Sequence, residues 1–257
     1  MQERHRNRLL YFNEQAQTTE KYVIPFIEEV FPLRPGLKIL EIGCGEGGNL
    51  KPFLDRGYDC TGIDINAKQI ENAKLFFAGH EHIDKLTLIT DDIYDIKKPQ
   101  RYDLIMLRDV IEHIPNQERF MAFLKNFMAP DGIVFFGFPA WQMPFGGHQQ
   151  VCISFISKMP FIHLLPAKVY AWLLRKAGED EARVLDLLQI KETGITIERF
   201  ERILRHENYT ILKKTLWFIQ PNYEVKFHLR KLRVAPILRS LPWIRNFYTT
   251  AGYYVIK

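Results

Sequence analysis

An apolar run that leads directly into a glycine-rich turn constrains this chain more than any other feature. The stretch KILEIGCGEGGNL spans Lys38 to Leu50 and sets Gly43, Gly45 and Gly48 in the pattern G-x-G-x-x-G. Between a first strand and a helix, such a turn lets a nucleoside cofactor approach the backbone, because no Cβ stands in the way. The stretch therefore predicts an α/β sheet with a cofactor at the end of its first strand.

The runs that follow alternate between strand and helix patterns. Four more strand-like runs, YDCTGIDIN, KLTLIT, YDLIMLRD and GIVFFGFP, are separated by helical patterns, and PDG before the last of them predicts a turn. Two later runs, TILKKTLWFI and TAGYYVIK, predict the final strands. Strands that alternate with helices favour parallel pairing with right-handed crossovers. The predicted fold class is α/β, with a Rossmann-like, doubly wound and mostly parallel sheet of seven strands.

The strand alternation stops after the fifth run, which divides a single predicted domain into four parts. Residues 1–35 are expected to form an N-terminal helical cap, with Pro25 between two helical pieces, and residues 36–140 the cofactor-binding core. Residues 141–195 hold prolines and apolar clusters typical of short helices, and a connection this long is rarely structureless. We therefore expect a helical lid insertion there. Residues 196–257 should form a closing helix and the last strands around a basic helical insertion.

Composition and cysteine use indicate a soluble protein in a reducing compartment. Hydrophobic residues make up 47% and charged residues 25% of the chain, and no apolar run approaches the ~20 residues that span a bilayer. The first residues are basic but lack the apolar segment of a signal peptide. Cys44, Cys60 and Cys152 have neither paired nor metal-ligand spacing. We therefore expect a cytoplasmic protein.

Acidic residues near the ends of the first three strands narrow the choice of cofactor. Asp64 lies 21 residues after Gly43, where dinucleotide and S-adenosylmethionine (SAM) sites both place an acid that accepts hydrogen bonds from ribose. Glu41 puts a carboxylate under the loop, which suits an ammonium and a sulfonium but opposes a pyrophosphate. Beyond the third strand, a carboxylate of Asp91 or Asp92 can accept from an adenine amino group. Together these acids favour SAM over a nicotinamide dinucleotide.

In this order and spacing, the motifs resemble those of class I SAM-dependent methyltransferases. EIGCGEGG, the acid of GIDIN, DDI and DVIEH match the small-molecule (ubiquinone/menaquinone-type) branch of that family over residues 36–140. The resemblance implies that the chain is an enzyme transferring a methyl group from SAM to an acceptor. It also implies a cofactor site made by Glu41, Gly43, Cys44, Gly45, Gly47, Asp64, Ile65, Asp91, Asp92, Ile93, Arg108 and Asp109.

The resemblance gives the residues around the methionine part of the cofactor their roles. The glycines of the loop would lie along this part, and Glu41 would attract its amino group through water. Arg108 and Asp109, at the end of the fourth strand, would border the methionine moiety with main-chain atoms. These roles come from the family pattern.

The nucleoside part would be held by the acids that follow the second and third strands. By the same resemblance, Asp64 would bind the ribose diol, with Ile65 beside the adenine. Asp92, slightly preferred over Asp91, would reach the adenine amino group with help from the Ile93 backbone.

Two histidines are candidate catalytic residues on the acceptor side. His113 lies in DVIEHI just past the fourth strand, and His148 lies in FPAWQMPFGGHQQ just past the fifth. Either can act as a base or orient the acceptor, and either can instead serve the structure of its loop. Asp109 and Glu112 join them as potential metal ligands, but related sequences with this motif function without a metal, and our prediction is none.

The acceptor is predicted only by class. The [ND]-P-P-[FYW] turn of nucleobase amino methyltransferases is replaced by RDVIEH, and no RNA-binding module is recognisable, so a nucleic acid is not favoured. Between Arg205 and Lys257 ten basic residues face two acidic ones, which allows peripheral membrane contact or simply a solvated basic face. Aromatic residues in the lid supply a hydrophobic pocket or the lid's own core.

We therefore predict O-methylation of a small or lipid-linked acceptor. An NAD-dependent oxidoreductase and a non-catalytic SAM-binding protein are the alternatives, and nothing in the sequence indicates an oligomeric state.

Overall fold

Within residues 7–257, which a computed structural model describes, one mixed sheet of eight strands organises the chain. The strands are β1 (Lys38–Ile42), β2 (Asp59–Asp64), β3 (Leu86–Thr90), β4 (Tyr102–Arg108), β5 (Met128–Phe138), β6 (Ile211–Ile219), β7 (Leu232–Arg233) and β8 (Ala251–Ile256). Their order is β3-β2-β1-β4-β5-β8-β6-β7, with β1 to β5 parallel and the last three antiparallel. Strand order reverses between β1 and β4, where open α/β sheets bind ligands at the carboxyl ends of the strands.

The predicted doubly wound α/β fold is confirmed, but the prediction of seven strands was wrong. The additional strand is β7, which is only two residues long and pairs with β6 at Trp217 and Ile219. Two residues are too few for a strand pattern to be recognised in the sequence. The turn expected at PDG also differs, because these residues lie within β5 at a register shift opposite Tyr102 and Leu104 of β4.

Helices cover both faces of the sheet, which explains why the middle strands are apolar at successive positions. Phe135 packs in a cluster with helices α1 to α4, whereas its neighbour Phe136 packs with α5 and α8 on the other face. The helices are α1 (Arg8–Thr18), α2 (Ile24–Glu28), α3 (Lys51–Asp55), α4 (Ala67–Phe76), α5 (Gln117–Leu124), α6 (Ala167–Lys176), α7 (Glu181–Thr193), α8 (Ile197–His206), α9 (Pro221–Phe227), α10 (Pro236–Ser240) and α11 (Ile244–Phe247).

The described part of the N-terminal segment is helical from Arg8 to Glu28. A π-helical turn, Thr19–Val23, joins α1 to α2, and Pro25 lies in the first turn of α2, directly after the irregular segment. Residues 1–6 of the predicted cap lie outside the described residues.

The segment between β5 and α8 consists of short helices and 3₁₀ turns and has its own small core. Three 3₁₀ turns precede α6 and α7, and the core is mainly aliphatic with Tyr170 at its centre. Phe155 and Trp172 are 67% and 54% exposed, so these two aromatic residues lie on the surface and are not part of that core. No helix in the described part of the chain is long and apolar enough to cross a membrane.

Candidate functional site

The glycine-rich loop turns sharply at the end of β1. Gly43, Gly45 and Gly47 all have positive φ angles, of 68°, 55° and 80°. A Cβ on Gly43 would also lie 2.6 Å from Val110 Cγ2, so this position accepts only glycine. Gly48, the third glycine of the sequence pattern, serves packing instead, because a Cβ there would lie 2.6 Å from the carbonyl oxygen of Phe12 in α1.

A cavity of about 580 Å³ opens above this loop at the carboxyl ends of β1, β2 and β4. This volume is within the usual range for small-molecule and cofactor sites. The structure places most of the predicted residues on its wall: Gly43, Cys44, Gly45, Asp64, Ile65, Asp91, Asp92, Ile93, Arg108, Asp109 and His113. Glu41, Gly47 and His148 do not line it.

At the end of the cavity formed by β2 and β3, carboxylates brace the loops that surround them. Asp64 accepts hydrogen bonds from the backbone N–H of Gly45 at 2.7 Å and of Asn66 at 2.8 Å, so it ties the glycine loop to the end of β2. Asp92 caps a 3₁₀ turn by accepting from Tyr94 N–H at 2.9 Å. A carboxylate has about four acceptor sites, so each of these side chains can accept further hydrogen bonds from a ligand.

At the opposite end, Glu41 lies beneath the cavity and is 1% exposed. Its Oε1 accepts from Asn49 Nδ2 at 2.6 Å, while Oε2 accepts no hydrogen bond from the described residues. Burial raises the pKa of Glu41 to about 8, against the lowering effects of Asn49 and Arg108. A buried carboxyl with one unpartnered oxygen next to a glycine cradle fits the cationic amino-acid end of SAM.

The cap contributes residues to the cavity that the sequence analysis did not single out. Arg8, Tyr11 and Gln15 of α1 line it, and Arg8 forms a two-point salt bridge with Glu46 in the glycine loop. Burial and the nearby carboxylate of Asp109 raise the pKa of Tyr11 to about 12. The only sequence signal for this contact was Gly48, which marks a close approach of another segment.

Beside this cavity, three titratable side chains from two loops come together: Glu112 and His113 share one 3₁₀ turn, and His148 lies after β5. The carboxyl of Glu112, which is 2% exposed, lies with its Oε1 3.9 Å from His148 Nε2, and the rings of His113 and His148 meet edge to face at 4.8 Å between centroids. Burial raises the pKa of Glu112 well above its usual range and lowers that of His113. One donor atom from each of the three side chains lies within 4.8 Å of the others, so together they could hold a metal ion.

Backbone conformation adds to the unusual character of this region. Asp109, at the end of β4, and His148 have φ angles of 56° and 57°, in the left-handed region that non-glycine residues seldom adopt. Such strained residues cluster at functional sites.

A second cavity of about 730 Å³ lies between the lid and the basic segment 221–247. Its wall is mainly apolar and consists of Met143, Pro144, Phe145, Gln150, Ser157, Lys158, Tyr223, Phe227, Leu229 and Thr250. Tyr223 is close enough to Asp109 for that carboxylate to raise its pKa, after the larger effect of burial. The second cavity is therefore a neighbour of the first.

Solved structures of similar fold include several that contain S-adenosylhomocysteine (SAH). The plantazolicin methyltransferase BpumL in complex with SAH aligns over 97% of this chain and 84% of its own, with a TM-score of 0.52 and 14% identity. A putative sarcosine dimethylglycine methyltransferase from Galdieria sulphuraria aligns over 93% and 85%, with a TM-score of 0.60 and 14% identity. At these identities the likeness establishes the fold.

Curated relatives are similar in sequence as well. The ubiquinone biosynthesis O-methyltransferase of Rickettsia canadensis (strain McKiel) is 25% identical over 216 residues, 81% of each chain. The enzyme of the same name from Rhodopseudomonas palustris (strain BisB5) is 36% identical over 103 residues, which is only 38% of its length. The methyltransferase domain family matches residues 12–180. The chain therefore belongs to this family and is a SAM-dependent methyltransferase.

Proposed function

We propose that this methyltransferase acts on a hydroxyl oxygen of a small or lipid-linked acceptor, with His148 as the base. The main support is the position of Glu112, His113 and His148 beside Asp109, which lies on the wall of the cofactor cavity. A hydroxyl must lose its proton to attack a methyl group, and an imidazole accepts protons near neutral pH. The names of the curated relatives support oxygen as the methylated atom.

When bound, SAM supplies a methyl group on a positively charged sulfur, which leaves as a neutral thioether. The chain's own task is to align the acceptor oxygen with the methyl carbon and to exclude water. His148 takes the hydroxyl proton as the new C–O bond forms. Glu112, with Oε1 3.9 Å from His148 Nε2, stabilises the resulting imidazolium in its ionised form, which burial disfavours until a cation forms beside it.

Within the cofactor site, Asp64 would accept from the ribose hydroxyls and Asp92 from the adenine amino group. Both carboxylates lie on the cavity wall with acceptor sites to spare. Ile93 is buried and forms an apolar contact for the ring, whereas Ile65 is 76% exposed at the rim.

The direct test is a turnover assay with phenols of increasing alkyl-tail length and with matched anilines, detecting SAH. We expect turnover of the phenols, improving with tail length, and little turnover of the anilines. Preferential turnover of anilines would refute oxygen transfer, and no turnover alongside tight SAH binding would favour a non-catalytic SAM-binding protein.

Metal-assisted activation is a second candidate, because two imidazoles and one carboxylate form a ligand set suited to zinc, iron or manganese. The two oxygens of the buried Glu112, which accept no hydrogen bond from the described residues, favour it. Loss of turnover in a chelator, restored by one of these ions, would select this route over the metal-free base.

The lipid-linked form of the proposal comes from the second cavity and the surface beside it. The apolar cavity near Asp109 can take a hydrophobic tail while the acceptor's head reaches the cofactor. Next to it, Ile237 and Trp243 are 77% and 60% exposed among the basic residues of segment 221–247. Exposed apolar side chains among cations suit an anionic lipid surface.

Vesicle flotation tests this surface. The chain should float with phosphatidylglycerol-containing vesicles and less with phosphatidylcholine alone, and Trp243→Ser should reduce flotation. Leu75→Ser is the control, because Leu75 is 71% exposed on α4, outside this segment. Equal flotation of both variants would remove the membrane role.

We also propose a cytoplasmic setting, since all three cysteines are buried and unpaired.

A further inference from the structure

A chain of hydrogen bonds links four buried side chains beneath the cofactor cavity. Thr19 Oγ1 and Arg108 Nη1 both donate to Asn49 Oδ1, at 2.9 and 2.7 Å. On the other side of the amide, Asn49 Nδ2 donates to Glu41 Oε1 at 2.6 Å. Because two donors hold Oδ1, the amide has one orientation, with its NH₂ group directed at Glu41.

This arrangement holds a cationic and an acidic group apart. The Arg108 guanidinium donates to the Asn49 amide, and the Glu41 carboxyl is reached through the other end of the same amide. A direct ion pair between Arg108 and Glu41 would leave neither group available to bind a charged ligand. With Asn49 between them, Arg108 lines the cavity and Glu41 keeps Oε2 without a hydrogen bond.

An α-amino acid carries the complementary pair of charges on one carbon atom. Guanidinium groups bind carboxylates in a planar, two-point geometry, and carboxylates attract ammonium groups. The adenosine end of the cavity, at Asp64, offers no such pair. Arg8 and Glu46 also lie on the cavity wall, but they are paired with each other. Arg108 and Glu41 are held apart instead, so they match the two charges at the amino-acid end of SAM.

We propose that Arg108, Asn49 and Glu41 form a receptor for the zwitterionic end of SAM. Arg108 binds the carboxylate with its side chain, Glu41 attracts the ammonium, and Asn49 is the positioning residue that keeps the two apart. The inference rests on the proposed cofactor site and goes beyond the main-chain role that the sequence suggested for Arg108.

Thr19 connects this receptor to the cap. It is fully buried and begins the π-helical turn Thr19–Val23, an irregularity often found at functional sites. The turn places the Thr19 hydroxyl on Asn49, so the cap helps to orient the receptor.

The test compares two ligands by titration calorimetry. SAH has the amino-acid end, whereas 5′-methylthioadenosine has the same adenosine and a thioether without it. We expect Asn49→Leu and Arg108→Met to weaken SAH binding between about ten- and a hundredfold, the range for lost charged hydrogen bonds, and to change methylthioadenosine binding less than about twofold. Asp64→Asn is the matched control and should weaken both ligands alike, because both contain the ribose.

The conservative pair Thr19→Val and Thr19→Ser adds a readout that does not depend on the larger substitutions. Valine removes the hydroxyl at constant shape and should reduce the preference for SAH over methylthioadenosine, while serine should retain it. A preference for SAH that survives in Asn49→Leu, Arg108→Met or, should these not fold, Thr19→Val would overturn the receptor. Failure of the wild-type chain to bind either ligand would instead overturn the cofactor site itself.

Discussion

Replacing Glu41 by glutamine should remove a pH dependence that burial gives to the folded protein. The pKa of Glu41 is about 8, against an ordinary value of 4.5. Between these values the carboxyl is protonated in the folded chain and ionised in the unfolded one, so folding takes up a proton. The free energy of unfolding is therefore highest below the ordinary pKa and falls as the pH rises towards 8.

The size of the effect follows from the shift. A difference of this magnitude corresponds to ~5 kcal/mol over the whole range, with a slope of at most ~1.4 kcal/mol per pH unit. Between about pH 6 and about pH 8, wild-type protein should lose ~2 kcal/mol relative to Glu41→Gln, because glutamine does not titrate. Urea unfolding of both proteins across this range measures the difference directly.

The affinity for the cofactor should change with pH in the opposite direction, because it depends on the same Glu41 carboxyl. An ammonium stabilises ionised Glu41, so binding should release its proton, and the affinity of the wild type for SAH should rise relative to Glu41→Gln over the same pH range. Calorimetry in buffers of different ionisation enthalpy counts the proton, and the comparison with glutamine cancels the titration of the ligand. If wild type and Glu41→Gln show the same pH dependence of the free energy of unfolding and of SAH affinity, the conclusion that burial raises the pKa of Glu41 is refuted.

Three further predictions concern the loop, the base and the cap. Gly43→Ala should lower the melting temperature and abolish SAH binding, because it combines a positive φ with a 2.6 Å clash; calorimetry and thermal unfolding check this. His148→Ala should reduce turnover by about a hundredfold or more at unchanged SAH affinity. His148→Gly should reduce turnover equally, but its free energy of unfolding in urea should be ~1 kcal/mol higher than that of His148→Ala, because glycine adopts the φ of 57° without strain. Arg8→Met should weaken SAH binding roughly three- to tenfold by removing the salt bridge to Glu46, with turnover at saturating SAM nearly unchanged.

The sequence predicted those parts of the site that follow from the ends of single strands. The carboxyl ends of parallel strands meet at one edge of the sheet, so Asp64, Ile93 and Asp109 lie around one cavity although they are distant in the chain. Arg8 and Asn49 were not predicted. The position of Arg8 depends on how the cap docks, and the role of Asn49 depends on three partners that no local pattern reveals.

The apposition of Glu112 and His148 was beyond prediction for a related reason. Each lies in an irregular loop, and the distance between them is set by how the lid folds back over the sheet. Spacing along the chain carries no information about that return path, whereas helical and strand periodicity do carry information about regular elements. The DVIEH motif therefore indicated that His113 lies on the rim, but not which side chain would face it.

The distribution of backbone strain distinguishes the two ends of the site. At the cofactor loop, every left-handed residue from 43 to 47 is a glycine, so the turn costs little. At the proposed acceptor side, left-handed conformations fall on Asp109 and His148, where glycine would cost less. The buried carboxyl of Glu112, which accepts no hydrogen bond from the described residues, lies beside them. Each of these features destabilises the fold by about 1–3 kcal/mol. This contrast supports the proposed role of the acceptor-side residues, because Asp109 and His148 keep side chains at positions where glycine would cost less. The acceptor end is thus where proton transfer has the strongest physical support.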